Sequence, residues 1–394
     1  MRNVKQKIKY ILACFEESLV TWKYRAKKEY MAEMENDHYG SWFVCEDDVT
    51  GIISKQERII FNEADLCIKH QFDILGTGLS YWGEPINWHQ DIRSKRIWRH
   101  HYYKKLFYNL TGVGNSDVKI PWELSRFQHI IPLIRAYLLS KDTKYSSEAV
   151  KQIYNWIENN HFLYGVNWTC AMEASIRVCN WLWAWWAFKE DPAWSDNFNQ
   201  IFLKSLWHHG WYIEQNLENK RGIRTNHYLS DIVGLLFLGI MFPQFKDSKR
   251  WKSFGVQELT RCLEEMVYRD GVSFENSTAY HRLVLELFTY SAVLCKKNRV
   301  ELPSFFWERL ERMFEFIMDC MRPDGRMPMI GDADDGRFFI LSDYYTWDRW
   351  DFSYLLSLGA VLFNRHDFKA VAGQCHEEVA WVFGKEGVLT WQRL

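Results

Sequence analysis

Hydrophobic positions repeat with a helical period along most of the chain. From Val4 to about Met34 the apolar residues Ile8, Ile11, Leu12, Phe15, Leu19, Trp22 and Tyr24 approach the i, i+3, i+4, i+7 series of an amphipathic helix, and the other face is rich in Lys and Glu. A second helical segment, over about 55–70, runs into Phe72-Asp73-Ile74-Leu75-Gly76-Thr77-Gly78, where glycines and aromatics begin an irregular stretch reaching about Gly114. From Trp122 onward the period predicts helices over about 123–140, 145–160, 170–188, 195–218, 227–242, 252–268, 277–297, 303–321 and 350–363, with no alternating strand run between them.

Short polar turns such as Lys141-Asp142-Thr143 alternate with longer connections rich in Gly, Asn, His and Arg, such as 219–225 and 269–275. Helical hairpins with one set of elaborated loops predict an all-α fold, an (α/α) toroid or solenoid with an active face ahead of a simple helical bundle. The expected organisation is an N-terminal helical extension over 1–80, the toroid over 81–380, and the start of an extended, β-type segment over 381–394.

Composition narrows the function classes. The 394 residues are 47% hydrophobic and 25% charged, an ordinary globular load. With 49 basic against 50 acidic side chains the net charge is −1, which removes the footprint of a general nucleic-acid or anionic-membrane binder. No apolar run reaches the roughly 18 residues of a membrane span. The start is basic, but its short apolar run meets Glu16 and Glu17 and lacks a small-residue cleavage site, so no secretory signal is expected. The chain as written reads as cytoplasmic, a periplasmic setting remaining open. Nine cysteines without a CxxC pair read as reduced core residues. The 21 Trp, 20 Tyr and 26 Phe fit a thick helical core or a groove whose rings stack on sugars.

No cofactor or metal is expected. Gly76-x-Gly78 and Gly112-x-Gly114 lack the third glycine of a dinucleotide fingerprint, and no P-loop or HExxH is present. The pairs His100-His101 and His208-His209 diverge by about 100° on a helix. The Asp332-Ala333-Asp334-Asp335-Gly336 run misses the alternating oxygens of a calcium loop.

Three blocks could carry chemistry. In Arg224-Thr225-Asn226-His227, ahead of an apolar helix, Thr225 or Asn226 could be a simple N-cap, or an amide and an imidazole at a helix N-terminus could neutralise a carboxylate. In Glu275-Asn276-Ser277-Thr278-Ala279-Tyr280-His281-Arg282, Ser277 or Thr278 would cap the next helix, and the dipole and Arg282 would favour a tyrosinate at Tyr280. In the 321–337 block, three acids with Arg326 and Arg337 could brace the active face. Upstream, Trp122, Glu123 and Arg126, and Asn167, Trp168, Glu173 and Arg177, either form local ion pairs or recognise a sugar.

Together, PWELSR, NWTCAMEASIR, TNHYLSDIVGLLFLG, DGVSFENSTAYHR and IGDADDGR resemble the heparinase II/III-type polysaccharide lyases of heparinase III and oligo-alginate lyase type, over about residues 72–384. The resemblance implies an incomplete toroid followed by a β-sandwich domain, and β-elimination on uronic-acid polysaccharides. It implies that Asn226, with His227, neutralises the substrate carboxylate and that Tyr280 handles protons at C5 or O4. Arg224, His281, Arg282, Glu275, Trp122, Arg126, Asn167, Trp168, Glu173, Arg177, Asp332 and Arg337 would bind the acidic polysaccharide or support Tyr280. Since the β-sandwich would start where this sequence stops, a missing domain or a separate chain is an expected partner. Two competitors stand: a non-catalytic glycan-binding or assembly module for surface polysaccharide, and an α/α-barrel glycoside hydrolase pairing Asp332 or Asp334 with Glu275. The hydrolase needs its carboxylates roughly 5–9.5 Å apart; the lyase needs Asn226 and Tyr280 to converge.

Overall fold

The computed structural model describes the chain apart from residues 1–11, 15, 21–29, 32–38, 54–56, 107–109, 111–113, 220–221 and 334–335. Its helices are α1 (Glu46–Ile53), α2 (Glu57–Ile68), α3 (Tyr103–Leu106), α4 (Lys119–Leu124), α5 (Ile130–Ser140), α6 (Thr143–Asn159), α7 (Ala171–Phe188), α8 (Asp196–Gln215), α9 (Asn226–Met241), α10 (Ser248–Met266), α11 (Thr278–Lys297), α12 (Ser304–Cys320), α13 (Ser353–Phe363), α14 (His366–Ala372) and α15 (Glu377–Arg393). Among the described residues the sheet is one antiparallel pair, β1 (Gln71–Phe72) with β2 (Ser80–Tyr81), in register Gln71 opposite Tyr81.

Two kinds of helix alternate. The helix α7 is buried along its whole length, α9 everywhere except His227, and α11 everywhere except Tyr280 and the C-terminal Lys296 and Lys297. The partner helices bury one stripe: α12 covers Phe306, Leu310, Met313, Phe314 and Ile317, and leaves its other face to water. A helix that is apolar all round must be surrounded, so α5, α7, α9 and α11 form an inner layer packed in sequence, and α6, α8, α10 and α12 pack outside them. The inner and outer helices approach closely where side chains are absent: a Cβ on Gly239 would lie 2.5 Å from the Lys252 nitrogen, and one on Gly255 2.8 Å from the Leu236 Cβ. The helix α15 packs on α13 and α1, and α1 and α2 pack on α5, which carries the ring round. This all-α arrangement is the toroid expected from the periodicity.

The segment between α12 and α13 fills the axis. Phe338 and Phe339 pack on Phe237 and Tyr290, and Phe339 also meets Trp183. Polar inner-layer side chains satisfy its main chain: Gln128 Nε2 donates to the Arg337 carbonyl at 2.6 Å and Asn180 Nδ2 to the Phe338 carbonyl at 3.3 Å. Trp156, Trp168, Trp181 and Trp183 are fully buried, so the core takes most of the aromatic surplus. All nine cysteines are unpaired thiols.

Two expectations are corrected, and a third lies largely outside the described residues. The helix expected over 123–140 breaks after Leu124, with Phe127 at φ 62°, and resumes at Ile130. Residues 381–394 do not begin an extended segment; they lie in α15, which bends at Gly384 (φ 64°). Of the amphipathic helix expected over 4–34, residues 12–14 and 16–20 are helical, and most of the rest lies outside the described residues. No described helix is long and apolar enough to cross a membrane.

Candidate functional site

The N-termini of α7, α9 and α11 open on one cleft, lined by Leu75, Lys119, Trp122, Glu123, Arg126, Met172, Glu173, Asn226, His227, Tyr280, Leu283 and Gly336. Beside it, sharing Lys119, Trp122 and His227, is a cavity of about 760 Å³ whose wall includes Tyr103, Cys170, Tyr212 and Glu218. The two interruptions of the buried inner helices at this end, His227 and Tyr280, both face the cleft.

Asn226 is the first residue of α9, and its N-cap Thr225 makes no side-chain cap. Glu275 supplies the acceptor instead, taking the Asn226 main-chain N–H at 3.2 Å and its side-chain Nδ2 at 2.9 Å. Burial raises the Glu275 carboxyl above its ordinary pKa; the Asn226 hydrogen bonds and the nearby His227 offset part of that rise. The expected Asn226 or Thr225 self-cap is therefore replaced by a long-range carboxylate.

His227 donates Nδ1–H to Glu218 Oε2 at 2.8 Å and keeps 45% of its side chain exposed. Burial works against its charged form, but the Glu218 hydrogen bond and charge outweigh it and raise the imidazole pKa. For Glu218, burial opposes ionisation, but His227, the Met172 amide and Cys170 hold the carboxyl at about 2. Glu218 Oε1 also accepts from the Ala171 and Met172 amides at the start of α7, at 2.9 and 3.1 Å, and from the Cys170 thiol at 3.2 Å. The donor atoms of Cys170, Glu218 and His227 lie within 4.8 Å of one another, a spacing a metal could use. The α7 amides and the Cys170 thiol already occupy Glu218 Oε1, and the His227 Nδ1–H occupies Oε2.

Tyr280 lies in the first turn of α11, whose N-cap Ser277 accepts from the Tyr280 main-chain N–H at 3.1 Å, as expected. Its Oη donates to Asp332 Oδ2 at 3.1 Å. Asp332 is held there because Ile330 exchanges hydrogen bonds with Thr278 and the Ser277 hydroxyl donates to the Asp332 carbonyl. Across the cleft, Arg126 is gripped by Glu173, with Nε and Nη2 contacts of 2.7 and 2.8 Å, and by Glu123 at 2.7 Å. Trp122 is half-buried and donates its indole N–H to the Val166 carbonyl at 2.9 Å.

The other expected ligands stand elsewhere. Arg224 is paired with Glu258 and Glu265 on α10. His281 is buried against Phe316, with Nε2 on the Met313 carbonyl, and burial lowers its pKa to about 4. Arg282 is buried, donates to the Arg349 carbonyl and lies over Phe352, so it does not support a tyrosinate at the cleft. Asn167 is buried and donates to the Trp88 carbonyl, and Trp168 is buried against His209. Arg177 lies over Trp156, and burial lowers its pKa to about 9. Arg337 is locked to Glu286 at 2.6 Å. The hydrolase pairing finds no support: Glu275 spends both oxygens on Asn226, Asp332 receives Tyr280, and Asp334 lies outside the described residues. Sequence reasoning missed Glu218 and Lys119; the polar loop after Glu218 was the nearest signal.

The (α/α) toroid thus presents an amide, an imidazole and a phenol around one cleft. The chain belongs to the family described as Heparinase II/III N-terminus, whose model matches residues 6–351. It is 26% identical over 306 residues to a heparin-sulfate lyase of Pedobacter heparinus, covering 74% of this chain and 42% of that protein. To a heparin-sulfate lyase of Bacteroides stercoris it is 24% identical over 257 residues, covering 59% of this chain and 38% of that protein. A crystal structure of the Pedobacter heparinus heparan sulfate lyase superposes with a TM-score of 0.57 at 25% identity, over 81% of this chain and 45% of that one. The chain thus spans about two-fifths of the length of these curated relatives.

Proposed function

We propose that this chain is the toroid of a lyase that cuts uronic-acid-containing polysaccharide by β-elimination. The C5 proton of a uronate is α to a carboxylate, and its removal needs that carboxylate offset by donors. Asn226 and His227 supply them, and Tyr280 transfers the proton at C5 or O4. The C4–O4 bond breaks, a C4–C5 double bond forms, the leaving oxygen is protonated, and no water is consumed. Trp122 offers a sugar platform, and Arg126 with Glu173 a rigid polar wall. A further domain or a second chain that covers the cleft belongs to the same proposal, supported by the greater length of the relatives.

The carrying observation is that inner helices buried elsewhere along this end admit solvent at His227 and Tyr280, on one cleft with Asn226. The test is the ultraviolet band of an unsaturated uronate on a panel of uronic-acid polymers, wild type against Tyr280→Phe. A signal lost in the variant supports the lyase. No signal with retained glycan binding favours a binding module or a toroid awaiting its further domain.

A further inference from the structure

Glu218 divides its two oxygens between two tasks. Oε1 takes the α7 amides and the Cys170 thiol, while Oε2 takes only the His227 imidazole. Its own main-chain N–H donates to Asp231 Oδ2 of α9 at 2.7 Å, so the residue is tied to the starts of two inner helices. A carboxylate fixed in this way leaves the imidazole one orientation: Nδ1–H inward, and Nε2 on the cleft side without a hydrogen bond among the described residues.

The charged and titratable groups around His227 are few. Glu218 and Cys170 touch it; Glu173 favours and Arg126 opposes its charge from the facing wall, and Glu275 feels it from the loop before α11. Lys119 and Tyr280 share its cleft. Arg126 already serves Glu123 and Glu173, and the arginines at 177, 224, 282 and 337 are bound elsewhere. The imidazole stands in the cleft wall beside Asn226, where its hydrogen bond to Glu218 favours the charged form.

We propose that Glu218 is a positioning residue: it fixes the His227 ring with Nδ1–H inward and Nε2 turned to the cleft, so that Nε2, when protonated, meets the substrate carboxylate. The proposal rests on the lyase reading for its reaction and on the hydrogen-bond geometry for its residue. A cap of α7 alone would use Oε1 and would be indifferent to which imidazole nitrogen carries the proton.

Nitrogen chemical shifts of labelled His227, followed through a pH titration, separate the two roles. The wild-type neutral ring is expected to carry its proton on Nδ1. In Glu218→Gln the amide still accepts the α7 amides but offers N–H to Nδ1, so the proton moves to Nε2 and the titration midpoint falls. The affinity for a glucuronate tetrasaccharide is then expected to weaken and to lose its dependence on pH across that midpoint. A wild-type ring protonated on Nε2, or an unchanged tautomer and midpoint in the variant, overturns the proposal, and the wild-type measurement stands even if the variant does not fold. The expected tautomers without double-bond absorbance on any uronate polymer would instead remove the lyase reading.

Discussion

Glu275 grips Asn226 at two points, its Oε1 accepting from Nδ2 at 2.9 Å and its Oε2 from the main-chain nitrogen at 3.2 Å. The first free N–H of α9 is thus satisfied by a residue 49 positions away, and the side-chain amide beside it is aimed by the same carboxylate.

Replacing Glu275 by Gln should loosen the aim of Asn226. If the proposed elimination depends on it, kcat falls by up to about 10²-fold while the fold survives. Burial raises the folded-state pKa of Glu275, so its contribution to stability is present below the usual carboxylate range and is lost as pH rises through the folded value. The variant should therefore gain on wild type between about pH 4.5 and 7, read as urea midpoints at both pH values. A gap that is constant or reversed would contradict the assignment.

Tyr280→Phe removes one hydroxyl from a partly exposed side chain that donates to Asp332. Stability should change by less than about 1 kcal/mol, and any double-bond-forming activity should fall about 10²–10⁴-fold. Asp332→Asn keeps a hydrogen-bond acceptor but removes the charge, and a smaller loss is expected. Equal activity in Tyr280→Phe and wild type would remove Tyr280 from the chemistry.

Arg337 belongs to the core. It is sandwiched between Glu286 and Tyr354, with its guanidinium 4.2 Å from the Tyr354 ring, and Tyr354 and the Phe338 N–H also bind Glu286. Arg337→Ala leaves the Glu286 carboxylate buried without its counter-charge and should cost roughly 3–5 kcal/mol in denaturant unfolding. A stable variant with weakened glycan binding would return Arg337 to the ligand set.

With the arginines at 126, 177, 224, 282 and 337 held by other groups, Lys119 and His227 are the remaining basic side chains lining the cleft. Binding of a uronate polymer should weaken only about tenfold between 50 and 200 mM salt, as expected for roughly two charge contacts. A loss of about 10³-fold over that range would show a basic surface outside this cleft.

Most helix boundaries were legible because they are set locally. The apolar-all-round runs of 171–188 and 227–242 differ from the one-sided stripe of 303–321, and Ser277 caps where a serine before a helical run should. Asn226, His227 and Tyr280 were legible through the family resemblance and from their place at helix starts. The charge partners were not. Arg282 is two residues from Tyr280, and on a helix that separation turns the two side chains about 200° apart, so it enters the core while Tyr280 faces the cleft. Glu218 and Glu275 reach their partners across loops, and nothing in the local pattern marks a carboxylate as the cap of another helix. Phe127 broke the expected 123–140 helix without a Gly or Pro to announce it.

The Glu218–His227 pair has a pH window that follows from its two shifts. His227 is raised above its usual 6.5, so its contribution is fully present below that value and is lost as pH rises through the folded-state value. Glu218 is depressed from 4.5 to about 2, so its contribution is present above 4.5 and is lost as pH falls toward 2. Both describe one interaction, which is therefore complete between pH 4.5 and 6.5. The unfolding free energy of wild type minus that of Glu218→Gln should be greatest inside this window and shrink on either side, measured by urea denaturation from pH 3 to 9. His227→Gln should flatten the alkaline limb, because only the imidazole titrates there. A difference that stays level above neutrality would mean that Glu218 stabilises the fold through the α7 amides and not through His227.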